Sequence, residues 1–152
     1  MPYDGGMDRR TRNRICIWVI FLGLLNFVVY TVLYAQLGGD AINGYIGSHA
    51  DGRRAYYVSG HFIHSPTGNS REVAGWVWVY SYIHSISIWA SEAAVLICLL
   101  ILARPHIIAT MKERDIIQGP TFVVICFTLI VLTGSAMTVW FTIGFVSEYW
   151  GQ

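Results

Sequence analysis

Three long stretches without lysine or arginine leave this chain few ways to fold. Residues 15–37, 73–103 and 116–146 are rich in Ile, Leu, Val, Phe and Trp, and across all three the one formally charged side chain is Glu92. Each stretch exceeds the roughly 20 residues that a helix needs to cross a bilayer core. The chain is 55% hydrophobic and only 12% charged, where soluble domains carry about 25% charged residues. The expected fold class is therefore an all-α integral membrane protein with three transmembrane helices.

The expected organisation is a tail over 1–13, helix one over 14–37, a loop over 38–72, helix two over 73–103, a connector over 104–115, helix three over 116–146 and a short C-terminus over 147–152. The first hydrophobic run is too long for a signal-peptide core, and no small-x-small cleavage site follows it, so it reads as a retained anchor. Arg9, Arg10, Arg12 and Arg14 precede helix one, and Arg104, Lys112 and Arg114 lie between helices two and three. Against these stand Arg53, Arg54 and Arg71 in the long loop. The positive-inside rule then places the N-terminus in the cytoplasm and the C-terminus outside. With no glycosylation sequon, a bacterial cytoplasmic (inner) membrane is the default location. Cys16, Cys98 and Cys126 fall near the cytoplasmic ends of their helices and read as packing residues rather than a disulfide framework.

The loop over 38–72 opens with Gly38-Gly39-Asp40, a helix stop, and holds two β-rich runs at 41–48 and 54–59 around Asp51-Gly52. This predicts a small β-hairpin-like unit. His61 and His64 are three apart, but Gly60 and Pro66 flank them and no zinc signature accompanies them, so solvated loop histidines are expected. Trp76, Trp78, Tyr80 and Tyr82, Tyr30 and Tyr34, and Trp140, Tyr149 and Trp150 cluster at one set of helix ends, as an interfacial aromatic belt would.

Glu92 lies about 12 residues before Arg104, roughly 18 Å at ~1.5 Å rise per residue, and so close to mid-membrane. A carboxylate there costs about 2.5 kcal/mol or more unless it is neutral, paired or wetted. On a helical wheel, His84, Ser81, Ser85, Ser87, Ser91 and Glu92 fall within an arc of roughly 160°. Asn26 on helix one and Thr133 and Ser135 on helix three share the depth of Glu92. The expectation is an intramembrane polar seam of Glu92, Ser91, Ser87, Asn26, Thr133 and Ser135, with Glu92 hydrogen-bonded inside it. A repeat of hydroxyls at Thr121, Thr128, Ser135 and Thr142 marks the packing stripe of helix three.

His84 is the candidate cofactor ligand, for haem or a magnesium-centred pigment, although nothing in the sequence requires a cofactor. One chain lacks a second membrane histidine, so such a site would be shared between copies or subunits. No catalytic or nucleotide-binding motif is present, so an enzyme is not expected. A net charge of +1 gives no reason to expect nucleic acid. The expected partners are the lipid bilayer and other membrane subunits or copies of the same chain. The leading expectation is a structural or accessory subunit, or a self-assembling homo-oligomer. A proton- or cation-conducting oligomer using Glu92 is the second, and an electron-transfer or light-harvesting component using His84 the third.

Overall fold

The computed structural model describes residues 8–60, 70–111 and 118–151. In chain order it contains α1 (Arg9–Leu37), β1 (Asp40–Ser48), β2 (Arg54–Ser59), β3 (Ser70–Val73), α2 (Gly75–Thr110) and α3 (Gly119–Trp150). All three helices are long and apolar enough to cross a membrane. The first seven residues of the expected tail, the loop histidines His61 and His64, and Lys112 and Arg114 lie outside the described residues.

Local chemistry sets the ends of these helices. Gly38 takes a left-handed φ of 80°, which glycine adopts without a Cβ clash, and both its N–H and that of Gly39 close on the Tyr34 carbonyl. Pro120 sits in the first turn of α3, where its missing N–H has no intrahelical partner to lose. Pro105 is different. The sequence suggests a stop there, yet α2 runs through it to Thr110, since a proline inside a helix removes one backbone bond without preventing the next turn from closing.

The helices stand in a row with α2 in the middle. Gly23 of α1 meets Ser91 and Val95, whereas Gly134 of α3 meets Ala93 and Trp89, which lie on the opposite side of α2. A Cβ on Gly134 would come within 2.6 Å of the Ala93 Cβ, so glycine is what lets α2 and α3 approach so closely. The α1–α2 seam repeats every seven residues. Cys16, Gly23 and Tyr30 meet Cys98, Ser91 and His84 in antiparallel order, the left-handed packing that a heptad spacing produces.

The hairpin expected in the long loop is present and gains a third strand. β1 and β2 are antiparallel, with Tyr45 opposite Tyr57 and Ser48 opposite Arg54, and β3 pairs with β2 to give the order β1-β2-β3. The register of β1 on β2 shifts between Asp40 and Tyr45. One face of the sheet packs onto α2, building a core from Ala41, Ile46, Val58, Trp78 and Tyr82. Trp78 and Tyr82 thus depart from the aromatic belt proposed from sequence: they are buried beneath the sheet, Trp78 at 0% exposure, while Trp76, Tyr80, Trp140 and Trp150 remain exposed.

Candidate functional site

The polar residues of α2 do not form one seam. They divide among three surroundings, because 100° per residue turns them past both neighbouring helices. Ser81 and Ser85 are buried at the sheet end, where the Ser81 Oγ accepts a hydrogen bond from the Ala41 N–H at 3.2 Å. His84, Ser87 and Ser91 face α1. Glu92 turns toward the α3 side.

Against α1 the polar groups make a closed clasp. The Ser87 and Ser91 hydroxyls donate to the carbonyls of His84 (2.7 Å) and Ile88 (3.0 Å), so their oxygens are left as acceptors. Asn26 Nδ2 donates to both, at 3.2 and 3.1 Å. That turns Asn26 Oδ1 toward His84 Nε2, 3.1 Å away, and since a carboxamide oxygen only accepts, Nε2 carries the proton. The imidazole also makes T-shaped contacts with the rings of Tyr30 and Tyr80, with centroids 5.6 and 5.5 Å distant.

Above the clasp sits a residue that the sequence reading treated only as part of a helix stop. Asp40 is buried, and its carboxylate accepts from the Tyr30 hydroxyl at 2.7 Å, the Asn43 N–H at 3.0 Å and the Asn43 carboxamide at 2.8 Å. It therefore ties the start of the sheet to α1. The sequence held a signal for this role, an acidic residue directly after a Gly-Gly helix end and three before an Asn, which is a side-chain turn pattern.

Glu92 is not part of the clasp. Its side chain is exposed and, among the described residues, makes no hydrogen bond or ion pair. It opens on a groove of about 260 Å³ between α2 and α3, walled by Trp89, Leu96, Leu129 and Ile130, with Thr133 across from it. Thr133 is exposed there, and its hydroxyl has no hydrogen bond among the described residues, whereas Thr138 and Thr142 bond back to the carbonyls four residues earlier. Ser135 lines a separate groove on the other side of α3.

The hydroxyl repeat of helix three also turns outward. Thr121, Thr128, Ser135 and Thr142 are all exposed, and the packing row of α3 is instead Gly134, Phe141 and Phe145, set against Ala93, Trp89 and Trp78. Seven-residue spacing alone names a stripe without saying which stripe faces a neighbour.

This chain matches no protein family, no curated protein and no solved structure. Its site is therefore read from its own atoms. Among the described residues no group of three His, Cys, Asp or Glu side chains is placed to hold a metal. His84 Nε2 is committed to Asn26, so a metal-centred cofactor bound through that nitrogen would have to displace the carboxamide that orders the clasp. The arrangement instead separates two kinds of polar group: a hydrogen-bonded set that joins α1 to α2, and a pair, Glu92 and Thr133, that makes no side-chain hydrogen bond among the described residues and faces outward beside α3.

Proposed function

We propose that this protein is a non-enzymatic integral membrane subunit that works by assembly, as an accessory component of a membrane complex or within a homo-oligomer. The observation that supports this most directly is the state of Glu92. The neighbouring polar groups of the α1–α2 seam, Asn26, Ser87, Ser91 and His84, are paired within the chain, and Glu92 has no such partner among the described residues. A carboxyl group near mid-membrane is too costly to leave facing acyl chains, so an assembled neighbour is its natural surrounding. The distribution of basic residues supports an N-terminus in the cytoplasm with the sheet and C-terminus outside, with a bacterial cytoplasmic membrane as the proposed default location.

Native mass spectrometry of the full chain, extracted in mild detergent, tests this reading. The expected result is an assembly heavier than the single chain, weakened in Glu92→Leu. A single chain alone, both in detergent and in nanodiscs made directly from native membrane, would overturn it.

A conducting oligomer is the second reading, favoured by the same unpaired carboxyl. The row of helices encloses no pathway by itself, so copies would have to supply the other walls. Proton flux into liposomes that is lost in Glu92→Gln would support conduction, and equal flux from the two proteins would end it.

A further inference from the structure

We propose that the α2–α3 groove is a docking site for a transmembrane helix of another protein, one that carries a single basic residue at the depth of Glu92. This rests on the assembly reading above and specifies the partner.

Two unspent polar groups flank the groove. The Glu92 carboxylate offers only acceptors, and the Thr133 hydroxyl oxygen offers another. The Thr133 hydroxyl can also donate, but the carboxylate can only accept. A group that donates several hydrogen bonds at once, as a lysine ammonium or an arginine guanidinium does, serves both oxygens and supplies the opposite charge. The side walls, Trp89, Leu96, Leu129 and Ile130, are apolar and suit the aliphatic remainder of such a helix. At mid-membrane a lone anion and a lone cation are each costly, and each removes the cost of the other when they meet.

A second copy of this chain is a poorer occupant. Residues 15–37 and 119–147 contain no lysine, arginine or histidine, and on α2 the nearest lysine or arginine is Arg104, about three turns of helix from Glu92. The nearer His84, about two turns away, faces α1 with its Nε2 held by Asn26. Two copies docked through this groove would set carboxyl against carboxyl, with no cation from either. Charge complementarity therefore selects a different chain.

The test uses the full chain in phosphatidylcholine vesicles and synthetic Leu/Ala transmembrane peptides that differ at one central position, Lys or Leu. Association is read by energy transfer between labels on the protein and the peptide. The expected result is that the Lys peptide binds at least about tenfold tighter than the Leu peptide, the scale of a close charge pair. In Glu92→Gln this preference should fall to within about twofold, and Thr133→Val should reduce it in part. Retention of the Cys16–Cys98 contact, read by oxidative cross-linking, shows that each variant is folded. Equal binding of the two peptides, or a Lys preference untouched by Glu92→Gln, would overturn the proposal. A chain that assembles in native mass spectrometry yet shows no Lys preference would refute the cationic partner and leave the assembly reading standing.

Discussion

Asn26 and His84, far apart in the chain, meet across the α1–α2 interface with Oδ1 3.1 Å from Nε2. Because the Asn26 amide nitrogen is also held by Ser87 and Ser91, the carboxamide works as a three-point clasp. Interhelical hydrogen bonds in membranes contribute about 0.6 kcal/mol each on average and at most about 1.7. Asn26→Leu should therefore destabilise the fold by about 1–3 kcal/mol, measured by unfolding in a mixed-micelle denaturant series. A double-mutant cycle with His84→Phe should show coupling between the two positions, and strictly additive losses would refute the clasp.

Trp78 is buried among the sheet, Tyr82 and Phe145, and its indole N–H has no hydrogen-bond partner among the described residues. Trp78→Ala empties a large core position and should cost about 3–5 kcal/mol, read as faster amide exchange at Val58 and its strand neighbours. Trp78→Phe should be far milder, since it deletes the unpaired donor as well as some apolar area. A Phe variant as damaged as the Ala variant would show that the indole N–H does have a partner.

Cys16 and Cys98 are buried and lie close together at facing positions of α1 and α2. With a membrane-permeant oxidant such as diamide, the two thiols should lose two hydrogens to the reagent and close an intramolecular disulfide. Mass spectrometry of the non-reduced digest should link the Cys16 and Cys98 peptides and leave Cys126 unlinked. Linkage of Cys126 in their place would mean that the seven-residue register of α1 on α2 is wrong.

Asp51 sits in the tight turn between β1 and β2, where it accepts from the Arg53 backbone N–H at 3.1 Å and from the Arg53 guanidinium at 2.7 Å. These two interactions hold its carboxyl below the ordinary value of 3.8. A lowered folded value means that this contribution is present above the unfolded value and is lost as pH falls through the lowered one. The turn should therefore keep its order at pH 5 and loosen only in stronger acid, with the carboxyl titrating below 3.8 in a carbon-detected NMR titration. In Arg53→Ala the midpoint should move upward.

Much of this architecture was legible in the chain itself. The uncharged runs and the Asp51-Gly52 turn led directly to three long helices and the β1–β2 hairpin, because solvent preference and turn chemistry act over short stretches. The strand at Ser70–Val73 was not legible, since its pairing with β2 crosses the loop that contains His61 and His64. The fate of Trp78 was hidden for a similar reason: an aromatic ring at a helix end suits an interface or a core equally, and only the sheet lying over it decides.

The polar residues draw the same line more sharply. Sequence by itself determined that Glu92 stands alone in charge within three long apolar runs and that Asn26, Ser91 and Thr133 share its level along the helices, because rise per residue is fixed by helix geometry. Tertiary structure decided which of them meet. The order of the helices, with α2 between α1 and α3, sends Asn26 to His84, Ser87 and Ser91 and leaves Glu92 facing the groove beside Thr133. Depth follows from counting residues along one helix, whereas partnership depends on the rotation of each helix against its neighbours, set by close contacts such as Gly23 on Ser91 and Gly134 on Ala93.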